Sequence, residues 1–258
     1  MLNQNRQVVY EHPLNEKTRS LLRLEHLFQQ ACYHLPLPEV WNSRAAIDGV
    51  LGITNIFLRS DLKGDLIKEV DRYRVTLEKI GDSQVVDVDR LDDILGKLSE
   101  IYSKLQSTTG SPGHKLRRNE FLMDIMQRSS IPGGNCAFDL PYFHFWLQKP
   151  ADERVKELRE WMSIYEDFHE AVTIILTLIR DSASSASAVA RDGFFQQTLD
   201  PQTPTQMIRV SVPADAEHFP EISGGRHRFT VRFMAAAPGQ RPAQLKEEIF
   251  FSLARCVF

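Results

Sequence analysis

The sequence predicts an α+β fold in which a helical region is followed by an antiparallel β-sheet. Between about residues 14 and 187, apolar residues recur at spacings of three and four, the period of amphipathic helices. After Ala190 the period changes to two, and prolines and glycines separate the apolar runs. Because no crossover helices lie between these runs, we expect the strands to pair antiparallel.

Each predicted helix carries its own apolar stripe. Asn15 is a good N-cap and Glu16 follows it in the first turn, so the first helix is expected to run to about His34. Further helices are predicted at 42–58, 61–81, 87–106, 115–128, 153–162 and 165–186. Glycines, prolines and aromatic residues interrupt this region near 130–140, where we expect a turn, a short strand at 136–139 and a short helix.

The strands are predicted from apolar alternation. They are expected at 7–11, 194–197, 207–212, 229–234 and 249–257. The most apolar run, Ala171 to Ile179, is about half the length of a membrane span, and the N-terminus has no apolar signal segment. These two observations favour a cytoplasmic protein.

Composition excludes several classes of function. The net charge of −3 argues against bulk nucleic-acid binding, which usually requires a strongly basic domain. The three cysteines are far apart, form no C-x-x-C pair, and fit neither a disulfide framework nor a zinc site.

The stretch R-H-R-F-T-V-R-F-M at 226–234 is the strongest local signal. On a strand, His227, Phe229, Val231 and Phe233 would face a core, whereas the arginines at 226, 228 and 232 would face outward. Arginine binds carboxylates through a planar, two-pronged group, so this face could dock an acidic partner. Arg209, on the strand at 207–212, could extend the same face. The alternative is a solvated face whose arginines pair with the chain's own carboxylates.

The sequence gives little support for catalysis. Cys136 follows two glycines and precedes His144, so a thiol nucleophile is conceivable, but a lone cysteine in an apolar context is usually a small core residue. No phosphate-binding loop, dinucleotide fingerprint or nucleophile elbow is present. Nucleic-acid binding at Lys115, Arg117, Arg118 and the 226–232 arginines is a further alternative. Against it, the aromatics of that strand would face away from its arginines.

Four groups of motifs occur in order along the chain: E-H-P-L-N-E-K at 11–17, D-L-I-K-E-V-D-R at 65–72, S-I-P-G-G at 130–134 with H-F-W-L at 144–147, and I-S-G at 222–224 with R-F and R-F at 228–229 and 232–233. Together these segments resemble the ZapD family of bacterial cell-division proteins. The resemblance covers nearly the whole chain, although 81–118 and the tail after Met234 diverge.

The resemblance implies a helical bundle domain at 14–187, interrupted near 130–140, and an antiparallel β-sheet domain that includes the N-terminal strand, at 1–13 with 188–258. It also implies a cytoplasmic homodimer at the midcell division site that is not an enzyme and uses no cofactor, metal or small-molecule substrate. Family members bind the C-terminal tail of the division GTPase FtsZ and bundle its filaments, which stabilises the Z-ring during septation. No membrane or nucleic-acid partner is implied.

The resemblance also assigns site residues. The basic positions that the family uses for the FtsZ tail fall on Arg23, Arg59, Arg117 (or its neighbour Arg118), Arg228 and Arg232, with His144 nearby. From the residues alone, Arg23 could equally pair with a buried carboxylate, and His144 could be a core histidine.

We expect one groove per protomer where the sheet meets the helical domain, with apolar residues near Phe143 and Trp146 holding the tail. Two such grooves on a dimer would convert weak contacts into avidity. The alternative function is a dimeric adaptor that binds another acidic peptide.

Overall fold

A computed structural model of the chain describes residues 6–81 and 88–257. The α+β class is confirmed: helices fill most of the first 181 residues, and antiparallel strands follow. The predicted start of a helix at Asp87 lies outside the described residues. The helices are α1 Glu16–His34, α2 Val40–Arg59, α3 Leu62–Gly81, α4 Val88–Ser107, α5 Pro112–Leu116, α6 Glu120–Arg128, α7 Pro141–Leu147, α8 Ala151–Ser163 and α9 Glu166–Asp181. The strands are β1 Gln7–Pro13, β2 Ser184–Ala190, β3 Phe194–Thr198, β4 Thr205–Pro213, β5 His218–Gly224, β6 Arg228–Ala235, β7 Ala243–Gln244 and β8 Ile249–Val257.

The chain separates into two compact units, Met1–Leu22 with Leu176–Phe258 and Arg23–Ile175. We call them the β-unit and the helical unit. The predicted domain boundaries at 13/14 and 187/188 stay a prediction, because compactness alone does not show which segment folds independently.

The helical unit is built around α2. Residues on successive turns of this helix, among them Ala46, Ile47, Val50 and Ile53, are fully buried. The Thr54 hydroxyl donates to the Val50 carbonyl and lies 2.7 Å from the Tyr165 hydroxyl, so these two buried hydroxyls are paired. Helix α1 begins as predicted, since the Asn15 side chain accepts a hydrogen bond from the Thr18 N–H at 2.8 Å.

Three predictions in the helical region were wrong. The single helix expected at 115–128 is two helices, because the Asn119 side chain accepts the Leu122 N–H and begins α6 anew. The strand expected at 136–139 is a turn, closed by the Leu140 N–H on the Cys136 carbonyl. The helix expected to reach Ala186 ends at Asp181, and β2 follows.

The β-unit is a sandwich of two antiparallel sheets. The first sheet has the order β1-β4-β8-β2, and the second has the order β3-β6-β5 with the short β7 also paired to β6. Aromatic side chains join the sheets: the Phe251 ring lies 5.5 Å from Phe195 and 5.0 Å from Phe233. The N-terminal strand β1 pairs with β4 as expected. These contacts between the two inner faces fix the position of the second sheet, whose outer face is turned to solvent.

Candidate partner-binding face

Strand β6 confirms the predicted alternation of its central residues. Phe229, Val231 and Phe233 are fully buried in the sandwich, whereas Arg228 and Arg232 are exposed. Side chains of a strand alternate between faces, so the burial of the three apolar residues fixes the outward direction of the two arginines. The arginines are four residues apart, which corresponds to about 13 Å along a strand.

The alternation expected from Arg226 onward fails at its first two residues. Arg226 and His227 lie in the bend between β5 and β6, and His227 is exposed rather than facing the core. The Gly225 N–H donates to the Arg228 carbonyl at 3.0 Å and so closes the turn at this point. Strand β5 ends at Gly224, and Gly225 follows in the turn.

Neighbouring strands complete what we call the arginine face, formed by Arg228, Thr230 and Arg232 with their outward cross-strand neighbours. Arg232 has Phe194 of β3 on one side and Glu221 of β5 on the other. A shallow depression of about 580 Å³ covers this face, with Phe194, Arg226, Arg228 and Arg232 in its lining. Phe194 is 37% exposed, so the face offers an aromatic ring beside a guanidinium.

The guanidinium groups of the arginine face are available to a ligand. Within residues 6–81 and 88–257, no hydrogen bond or ion pair joins the Arg228 or Arg232 side chain to another group. The Glu221 carboxylate, although opposite Arg232, makes no ion pair with it in this part of the chain. The alternative of a solvated face with internally paired arginines is therefore not what the described residues form.

Arg209 does not extend the arginine face, contrary to expectation. It lies on β4 in the first sheet, opposite Glu11 of β1, and its Nε is 3.0 Å from Glu11 Oε1. Arg180 of α9 binds the same carboxylate with two atoms, at 2.9 and 2.8 Å. Arg209 is thus paired with a carboxylate of the same sheet. Sequence periodicity could assign an outward direction to Arg209 but not the sheet to which it belongs.

The remaining predicted site residues belong to the helical unit and are all exposed. Arg23 is on α1, Arg59 ends α2, Arg117 follows α5, and His144 is on α7. Among the described residues, Arg23 forms no ion pair, which removes the structural role considered for it. Arg59 is the last residue of α2, and Arg117 comes directly after α5. The two helices are in contact, because the Ser111 hydroxyl before α5 donates to the Phe57 carbonyl of α2. The interpretation of His144 as a core histidine is wrong.

The exposed aromatic residues of α7 are not the two around which the prediction placed the tail. Phe143 and Trp146, near which apolar residues were expected to hold the tail, are 2% and 1% exposed and pack edge-on and tilted against the Phe121 ring. Phe145 beside His144 is 65% exposed, and Tyr142 is also exposed. In a helix, residues three apart share a face, so Tyr142 and Phe145 point the same way. This spacing was readable in the sequence, but which stripe faces the core was not.

The Cys136 segment shows no nucleophile geometry. The Cys136 thiol donates a hydrogen bond to Asp139 Oδ2 at 3.4 Å. A carboxylate in this place is not the imidazole base that usually activates a cysteine nucleophile. In the part of the chain that the structure describes, no three His, Cys, Asp or Glu side chains come together as a metal site needs. None of the described helices has the length and apolarity to cross a membrane.

Comparison with known proteins agrees with the motifs. The family model for ZapD, described as a cell division protein, matches residues 22–232. A cell division protein ZapD of Methylococcus capsulatus is 39% identical over 251 residues, covering 97% of this chain and 98% of that protein. Cell division proteins ZapD of Chromobacterium violaceum and of Coxiella burnetii are each 36% identical over 252 and 251 residues, covering 97% and 96% of this chain and 100% and 97% of their own lengths. The chain therefore belongs to the ZapD family of cell division proteins.

Proposed function

We propose that this protein binds the C-terminal tail of FtsZ through the arginine face and, as a cytoplasmic homodimer, cross-links FtsZ filaments in the Z-ring at midcell. The observation that carries the proposal is the pair of exposed guanidinium groups, Arg228 and Arg232, which have no ionic partner among the described residues. A tail with acidic and apolar residues meets complementary groups there, because Phe194 lies beside Arg232. The function involves no catalytic step.

Rigidity of the arginine face makes it suited to a flexible ligand. The three buried residues between and beside the arginines fix the backbone, so the protein loses little conformational entropy when a peptide binds. The cost of ordering falls on the peptide. Exposed charge pairs are worth about 0–1 kcal/mol each, so one face should bind one tail in the micromolar range or more weakly.

Dimerisation would convert this weak contact into cross-linking. A homodimer carries two faces, and a filament presents many tails, so the second contact forms at high effective concentration. A monomer could only decorate a single filament. Arg23, Arg59, Arg117 and His144 are proposed as further contacts with FtsZ, supported by their exposure.

The test replaces Arg228 and Arg232 together with glutamate and measures FtsZ bundling by sedimentation and tail-peptide binding by anisotropy. The matched control replaces Arg159 of α8 and Arg255 of β8, two exposed arginines that are not part of the arginine face, and carries the same charge change. We expect the first variant to lose bundling and the control to retain it, with both unfolding like the parent. Bundling by a folded Arg228→Glu/Arg232→Glu protein would reject the proposal.

A second experiment distinguishes binding of the FtsZ tail from the alternative function, an adaptor for another acidic peptide. Full-length FtsZ and FtsZ lacking its C-terminal tail are compared in the same sedimentation assay. Equal bundling of both would show that the tail is not the ligand of this face.

A further inference from the structure

The second sheet has two edge strands, β3 and β5, on either side of β6. An edge strand presents backbone N–H and C=O groups that another extended chain can pair with. The two edges differ in which of these groups point outward, and the difference decides where a peptide can add.

The hydrogen bonds at the ends of β3 show which residues face β6. The Leu199 N–H donates to the His227 carbonyl at 2.8 Å, and the Phe233 N–H donates to the Gly193 carbonyl at 2.8 Å. Backbone direction alternates along an antiparallel ladder, so Phe195 and Gln197 also bond to β6. Gln196 and Thr198 therefore direct their backbone groups away from β6.

The outward groups of β3 are unpaired in the part of the chain that the structure describes. There β3 pairs with no strand except β6, and neither the Gln196 nor the Thr198 N–H donates a recorded hydrogen bond. The Phe194 N–H is occupied by the Arg191 carbonyl at 2.9 Å. The open edge thus consists of two N–H donors and the carbonyls of Phe194, Gln196 and Thr198.

The other edge is less suited to an acidic peptide. The Gly225 N–H bonds to the Arg228 carbonyl, so alternation turns Glu221 and Ser223 toward β6 and Pro220 outward. Proline has no N–H to donate, and natural sheets use it to protect an edge strand. By the same alternation Ile222 and Gly224 keep outward N–H groups, but Pro220 interrupts their row and the Glu221 carboxylate lies between that edge and Arg232. The β3 edge therefore suits an acidic strand better.

We propose that the acidic peptide binds as an added β-strand on the β3 edge, paired to Gln196 and Thr198, with its carboxylates turned toward Arg228 and Arg232. This inference rests on the proposed function and specifies how the same face recognises its ligand. Main-chain bonds supply affinity in this mode and side chains supply selectivity.

The geometry of a sheet makes the two sets of contacts compatible. An added strand lies about 4.8 Å beyond β3, and its outward side chains share the face of Phe194, Gln196 and Thr198. Arg228 and Arg232 are one strand further in, about 10 Å away, a distance that their long side chains and a carboxylate side chain span together. Their separation of four residues matches carboxylates four residues apart in an extended peptide, since such residues share one face.

The first test removes a single outward donor. Gln196→Pro deletes the N–H that the added strand would use, at an edge position where β6 does not need it. Gln196→Ala is the control, because it loses the same side chain and keeps the N–H. With a synthetic peptide of the FtsZ C-terminal tail as probe, we expect Gln196→Pro to bind about tenfold more weakly than Gln196→Ala, a difference that reports the N–H and not the side chain.

A second test uses the unmodified protein, so it does not depend on folding of the proline variant. Amide hydrogen exchange is measured with and without the tail peptide, and exchange at Gln196 and Thr198 should slow on binding. Peptides N-methylated at successive positions should show alternating effects, since only every second amide of an added strand points to β3.

The outcomes separate the inference from the proposed function. Binding that depends on Arg228 and Arg232 but is insensitive to Gln196→Pro, with no slowing at Gln196 and Thr198, overturns strand addition and leaves the proposed function standing. No binding of the tail peptide by the unmodified protein overturns both. Weakened binding by Gln196→Pro with new protection at the two amides is the expected result.

Discussion

Arg232 lies directly opposite Phe194 in the β3–β6 ladder, so a cation and a partly exposed aromatic ring share one position on the surface. Under the proposed function, such a pair would contact a carboxylate and a neighbouring apolar side chain of the peptide together. Residues opposite each other in a sheet have Cβ atoms about 5 Å apart, close enough for one ligand side chain pair to contact both.

Phe194→Ala should weaken binding of the FtsZ tail peptide without unfolding the sandwich. The ring is partly exposed, so we expect a loss of about 1 kcal/mol in binding, or about fivefold, measured by fluorescence anisotropy. Phe195→Ala is the matched control, because the neighbouring ring contacts Phe229 and Phe251 in the core. It should lower the free energy of unfolding by about 3 kcal/mol. Unchanged affinity of a folded Phe194→Ala protein would remove the ring from the site.

Glu221→Gln should strengthen peptide binding. The Glu221 carboxylate is opposite Arg232 on the outer face and repels an incoming carboxylate. Removing one exposed charge at this distance is worth a few tenths of a kcal/mol, so we expect about twofold tighter binding at low salt and a smaller gain at high salt. Glu160→Gln on α8 controls for net charge. Equal changes in both variants would mean that only the overall charge matters.

The arginine face shows how far the sequence could be interpreted. The alternation of Phe229, Val231 and Phe233 predicted which side of β6 is buried, because period two is a property of any strand. It could not predict that Phe194 and Glu221 flank Arg232, since pairing partners depend on sheet order. The same limit explains why Arg209 was assigned to the wrong sheet.

Strand β2 was missed for a different reason. Its sequence, S-S-A-S-A-V-A, consists mainly of small residues that fit the end of a helix as well as a strand. It becomes a strand by pairing with β8 along its whole length, a long-range contact.

The break before α6 was signalled by Asn119, a good N-cap, inside a run otherwise compatible with helix.

The cluster of Glu11 with Arg180 and Arg209 should be important for stability. Its side chains are 19–28% exposed, and the carboxylate accepts both prongs of Arg180. Glu11→Gln removes the charge that both guanidinium groups bind, so we expect the free energy of unfolding to fall by about 1–3 kcal/mol, measured by urea denaturation. The control is Glu16→Gln, whose partner Arg19 forms a surface pair in which the Glu16 side chain is 84% exposed. A loss there as large as at Glu11 would contradict the argument.

Acidification should destabilise the protein through His169 before carboxylates titrate. Burial lowers the pKa of His169, which stacks on Phe28 at 4.4 Å, although Glu170 and Glu25 oppose the effect. The unfolded chain then takes up the proton more readily below pH 6.5, so the free energy of unfolding falls as pH drops through that value and is fully retained above it. His12, whose pKa is lowered by burial and by Arg19, acts in the same direction. His169→Phe keeps the stacked ring and should therefore reduce the loss between pH 7.5 and 5.5 in urea titrations, and His12→Asn should reduce the remainder. An unchanged pH dependence in the His169→Phe/His12→Asn double variant would show that neither imidazole is the proton-binding group.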